Sequence, residues 1–155
     1  MRFSLKYLFL MTTLAGLACA VLLFANLWCG AVCFTASMGL ILASVVLAYA
    51  ATGVSRSFWI GFAIFGCGYW LALRIPVAGE VTAARWTFGS ESPLITAQLL
   101  EWSYKELSQA IGPAVPDSDN FGRVGHSLFA ILTAFLGGWL GRFAYRRYQS
   151  RAAQA

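Results

Sequence analysis

The chain has 155 residues, 59% of them hydrophobic and 11% charged, where ordinary soluble domains carry about 25% charged residues. A soluble domain this short could not bury so much apolar surface, so a single membrane domain over 1–155 is expected. The net charge of +5 does not point to nucleic acid, because Lys and Arg stand at the ends of apolar runs rather than in a stripe interleaved with aromatics.

The first apolar run, 7–27, follows Arg2 and Lys6 and holds 21 uncharged residues, enough to cross about 30 Å of hydrocarbon. A cleaved signal peptide is the rival reading, with Ala18-Cys19-Ala20 as its small-residue site. The apolar run continues past that site through Val21, Leu22, Leu23 and Phe24, which favours an uncleaved span. Asn26, Trp28 and Gly30 mark the following turn. The second run, 31–51, is again uncharged, and Thr52-Gly53-Val54-Ser55-Arg56 ends it. So short a connection makes spans two and three antiparallel neighbours. The third run, 57–73, stops at Arg74 and Pro76, since proline ends a helix. The fourth, 124–141, precedes Arg142, Arg146, Arg147 and Arg151.

Four spans put both termini on one side. That side, with the loop after span two, holds Arg2, Lys6, Arg56, Arg142, Arg146, Arg147 and Arg151 and no acid, so +7. The other side holds Arg74, Arg85, Lys105 and Arg123 against all six acids, Glu80, Glu91, Glu101, Glu106, Asp117 and Asp119, so −2. Cytoplasmic flanks are enriched in Lys and Arg, so the termini are expected in the cytoplasm. Tyr7, Tyr49, Trp59, Trp139, Tyr145 and Tyr148 then form an inner aromatic belt, and Trp28, Tyr69, Trp70 and Trp86 an outer one.

The outer segment, 75–123, is too long for a plain connector. Ser92 as N-cap and Pro93 at the first position predict a helix over about 93–111. Leu100, Tyr104, Leu107 and Ile111 lie along one apolar stripe, opposite Gln98, Glu101, Lys105 and Gln109. Gly112 and Pro113 stop it. The stripe either covers the outer end of the chain's own bundle or forms a partner surface. The expected fold is thus an all-α membrane protein, a four-transmembrane-helix bundle with an amphipathic helix in its long outer loop.

The fourth span carries small residues Ala130, Ala134, Gly137, Gly138 and Gly141 on one face, and the third offers Gly61, Gly68 and Ala72. Lipid supplies little hydrophobic drive between helices, so close backbone approach must hold them together. These residues are read as helix-packing positions, either within one protomer or at a homo-oligomer seam.

Chemistry is sparsely signalled. His126, the single histidine, stands near Asp117 and Asp119, a speculative polar site; a catalytic zinc centre usually needs three protein ligands, so it would have to recruit both aspartates. Asp117 to Gly122 fails as a calcium loop, because Phe121 occupies a ligand position and Leu128 stands where the bidentate Glu belongs. Cys19, Cys29, Cys33 and Cys67 read as small apolar fillers, although Cys29 and Cys33 fall near the outer boundary, where oxidation is open to them. No catalytic residue, metal site or cofactor is assigned. The interiors of the four runs hold no ionisable residue, which weakens a proton-coupled carrier.

The opening Met1-Arg2-Phe3-Ser4-Leu5-Lys6, with Gly125-His126-Ser127-Leu128-Phe129 and Gly137-Gly138-Trp139-Leu140-Gly141-Arg142, resembles a loose group of short bacterial multi-pass membrane proteins. The resemblance covers about a fifth of the chain. It implies residence in a bacterial cytoplasmic (inner) membrane and carries no activity and no functional residues. The expected partners are the lipid bilayer and other subunits, either copies of the chain or members of a membrane complex. The expected role is a non-enzymatic structural or accessory subunit. The alternatives are a small-solute channel or carrier, and a membrane enzyme using His126 with Asp117 and Asp119.

Overall fold

Where a backbone leaves water it must satisfy its own N–H and C=O groups, and a helix does so within one segment. The apolar runs accordingly fold as helices. The structure, a computed structural model, describes residues 5–73 and 94–152. Among the described residues there are five α-helices, one 3-10 turn and no strand: α1 (Leu5–Leu23), α2 (Leu27–Ala50), α3 (Gly53–Ala72), α4 (Ile95–Ile111), the turn Gly112–Ala114, and α5 (Ser118–Ala152). Two of them, α2 and α5, are long and apolar enough to cross a membrane; Leu8–Leu23 of α1 is a shorter apolar stretch. Arg2, Arg74, Pro76, Glu80, Arg85, Trp86, Glu91, Ser92 and Pro93 lie outside the described residues.

Helix boundaries depart from the apolar runs for local reasons. Asn26 is an N-cap rather than part of a wide turn: its side-chain oxygen accepts the Cys29 N–H at 2.8 Å, so α2 starts four residues before the apolar run read from sequence. Between α2 and α3 only Ala51 and Thr52 intervene, and Gly53 takes φ +59°, a backbone conformation open to glycine. For α4, the cap expected at Ser92 is replaced by Leu94, which makes no side-chain cap bond. Its far end matches the expected stop, with Gly112 at φ +66°.

The largest departure is α5. Its 35 residues extend about 52 Å at 1.5 Å per residue, against about 30 Å of hydrocarbon. The apolar run ends at Gly141, but helicity does not, because Arg and Ala are good helix formers in water as well.

Packing is most extensive between α3 and α5, which run antiparallel; α2 packs on both, and α1 touches the others least. The α3–α5 seam is built on glycine. A Cβ on Gly61 would overlap the Gly137 carbonyl and sit 2.8 Å from its carbon; one on Gly137 would meet Phe65 Cβ at 2.5 Å; one on Gly138 would meet the Phe58 ring at 2.7 Å; one on Gly141 would overlap the Ser57 carbonyl. Ala130 and Ala134 are fully buried in the same seam, with Phe62, Ile41, Tyr69 and Trp70 around them. Gly68 lies outside this seam: it is exposed, and nothing lies within 4 Å of a Cβ placed there. The buried face of α3 runs instead through Gly61, Phe62, Gly66, Tyr69 and Trp70.

Buried hydroxyls are satisfied within their own helices. Ser37 donates to Phe34 O at 2.8 Å, Ser44 to Ile41 O at 2.6 Å and Ser127 to Arg123 O at 2.7 Å. That back-bonding lets a small polar side chain stand at a helix contact without an orphaned donor.

Candidate functional site

At the end of the bundle where α3 finishes and α5 begins, the apolar packing gives way to polar contacts. Tyr69 is buried one turn before the end of α3, and His126 is 7% exposed two turns into α5. The Tyr69 hydroxyl lies 2.9 Å from His126 Nδ1 and 3.2 Å from Thr96 Oγ1 of α4. Three helices therefore meet at one phenol. Two proton arrangements satisfy it. The phenol donates to Thr96 and accepts from a protonated Nδ1, or it donates to a bare Nδ1 and accepts the threonine hydroxyl proton. Trp70, the next residue, packs edge-on against Phe34 of α2, with ring centres 5.2 Å apart.

The first turns of α4 hold the junction closed. Leu100, 4% exposed, lies directly over Gly125, where a Cβ would overlap its side chain. Tyr104 donates to Pro116 O at 3.2 Å and packs on Phe121 with ring centres 5.4 Å apart. Of the four residues read as a possible partner surface, Leu100 and Tyr104 are thus engaged with the chain's own fifth helix. Leu107 is half-buried and Ile111 exposed. The outward apolar face of α4 is a different one, Ile95, Leu99 and Trp102, at 80%, 49% and 62% exposure. Its i, i+4, i+7 spacing is legible in the sequence, but the longer stripe on the opposite side drew the reading. Glu101 and Lys105 pair at 2.8 Å along the helix flank.

The aspartates do not join His126. Asp117 accepts the Asn120 N–H at 3.3 Å and starts α5, and Asp119 is exposed in its first turn. Among the described residues no three His, Cys, Asp or Glu side chains come together as a metal site. The four cysteines are free thiols. His126 meets Tyr69, and Tyr69 in turn meets Thr96; neither residue carries a motif, and only the folded chain brings positions 27 and 57 residues apart together.

The junction can hold α4 against the bundle. Compared with protein-family models, with curated proteins and with solved structures, the chain has no match.

Proposed function

We propose that the chain is a four-span protein of a bacterial cytoplasmic membrane, with both termini in the cytoplasm, serving as a non-enzymatic structural or accessory subunit of a membrane assembly. In this reading α1, α2, α3 and α5 cross the bilayer, and α4 rests at the outer surface over the Tyr69–His126 junction. The division of charge supports the orientation: seven basic residues and no acid flank the inner ends.

One observation carries the subunit reading. Small residues hold helices together inside this chain, yet an equivalent run on α2 is left uncovered. Ala31, Thr35, Gly39 and Ala43 recur every four residues and are all exposed, and nothing lies within 4 Å of a Cβ placed on Gly39. Small-xxx-small runs are the surfaces on which membrane helices approach closely. Gly16 on the loosely held α1 is equally open.

The test is co-purification of the full chain from membranes in a mild detergent, alone and with Gly39→Leu. A stoichiometric companion, or a larger assembly of the chain, lost on that substitution supports the reading. A lone monodisperse monomer for both forms removes it.

A further inference from the structure

The inner ends of α3 and α5 enclose a second feature. Between the start of α3 and the flank of α5 lies a hollow of about 390 Å³, walled by Ser55, Phe58, Trp59 and Arg142. A second hollow, about 250 Å³, shares the same arginine and is bounded by Trp139, Phe143 and Arg146. Arg142 is therefore the shared wall of two concavities, each rimmed by a tryptophan.

Among the described residues the charge there has no ion-pair partner. Arg142 and Arg146 are one helical turn apart, so they repel, and Arg147 lies over the Phe143 ring, 5.1 Å from its centre. Among the described residues no carboxylate side chain stands at this end; Glu101, Glu106, Asp117 and Asp119 all lie at the other. Beside the arginines, α3 begins without a side-chain cap, because Thr52 makes no such bond. Its first N–H groups have no acceptor within the helix.

The geometry points to a binding site for the phosphate of an anionic phospholipid, its headgroup held by Arg142 and Arg146 and its glycerol region lying against Trp59 and Trp139. A guanidinium fork matches phosphate oxygens. Indole rings favour the headgroup depth, and basic pockets between spans on the cytoplasmic side take anionic headgroups. Trp139 and Phe143, which border the arginines, are exposed apolar side chains; where a bilayer covers them a lipid phosphate arrives with its chains attached, and a free phosphate would gain nothing from the tryptophans. This inference rests on the reading that α5 crosses a bilayer.

Two measurements separate the inference from that premise. Carbonate washing of membranes tests the premise, and release of the full chain into the wash overturns both. For the site, the full chain purified in a neutral detergent is titrated with phosphatidylglycerol, with phosphatidylcholine and with inorganic phosphate, and bound ligand is read by native mass spectrometry. Phosphatidylglycerol is expected to bind most tightly. Arg142→Gln is expected to weaken it by about fivefold or more, and Arg146→Gln in the same direction, whereas Arg151→Gln, more than two turns further along α5, changes it by less than about twofold because salt screens distant charges. Arg142→Lys, which keeps the charge but loses the fork, is expected to bind more tightly than Arg142→Gln and less tightly than the parent. Equal binding of the two lipids, equal losses for Arg142→Gln and Arg151→Gln, or inorganic phosphate binding as tightly as the lipid would each overturn the site in a chain that stays in the membrane.

Discussion

Substituting alanine for glycine at two positions of α3 gives opposite results, and the structure supplies the reason. At Gly61 the added methyl overlaps the Gly137 carbonyl oxygen, with the carbonyl carbon at 2.8 Å and the Gly138 Cα at 3.3 Å. All three obstacles are backbone, so no side-chain rotation relieves the clash. Carbon atoms rest about 3.5 Å apart, so α3 and α5 must separate by on the order of 1 Å along the seam with the most contact in the molecule. Overpacking of this kind costs about 1–3 kcal/mol. At Gly68 the methyl meets nothing within 4 Å, and alanine is favoured over glycine inside a helix by about 0.5–1 kcal/mol. The propensity gain is common to both positions, so the two variants should differ by the overpacking cost of about 1–3 kcal/mol, with Gly61→Ala the less stable and Gly68→Ala at or above the parent. Thermal unfolding of the full chain in a mild detergent, followed by tryptophan fluorescence, reads the difference, since Trp70 is buried at this seam. Equal melting temperatures for the two variants would refute the claim that glycine contact, rather than the overall apolarity of α3, holds the helices together.

Tyr69→Phe removes the hydroxyl that joins Thr96 to His126 and leaves a buried imidazole nitrogen without its partner, at a cost of about 1–3 kcal/mol; faster hydrogen exchange in α4 than in α2 is the expected readout. Gly125→Ala pushes against Leu100 and should also loosen α4, seen as faster proteolysis within 94–117, while Trp102→Ala, on the exposed face, should leave that rate unchanged. Leu100→Ala removes a buried side chain and should cost about 2–5 kcal/mol where the site cannot collapse, read as a lower melting temperature; Leu99→Ala on the exposed face should not lower it. Asp117→Asn keeps an acceptor for the Asn120 N–H and should shift stability little, whereas Asp117→Ala should lose roughly 0.5–2 kcal/mol of helix-start stabilisation.

The helices themselves were legible in the sequence, because uncharged runs between charged or glycine-bearing breaks leave few alternatives. The small-residue face of α5 was legible too, since Ala130, Ala134, Gly137 and Gly141 repeat at helical spacing and lie in the seam. Gly68 lies outside the seam within the chain, because spacing along one helix gives a face but not which part of that face a second helix covers. The length of α5 escaped because hydropathy marks where lipid would end, and a helix rich in arginine continues into water. Nor could spacing reveal the Tyr69–Thr96–His126 junction: its members come from three helices, and 21 residues separate the end of α3 from the cap position of α4. The same limit hid the hollows around Arg142, whose charge was visible while its concave surroundings were not.

The α3–α5 seam has a consequence for how the chain is made. Its two sides are far apart in sequence, Gly61 meeting Gly137, so it cannot form until the residues around Gly137 have left the ribosome. Contacts of such long range form late, and domains fold as their sequences emerge. For the interval between them, the α2–α3 hairpin must wait with Gly61, Phe62 and Gly66 facing outward, a notch shaped for another helix. The order of synthesis thus leaves this hairpin an unfinished half, and any other membrane helix bearing a glycine face competes with α5 for the same notch until α5 arrives.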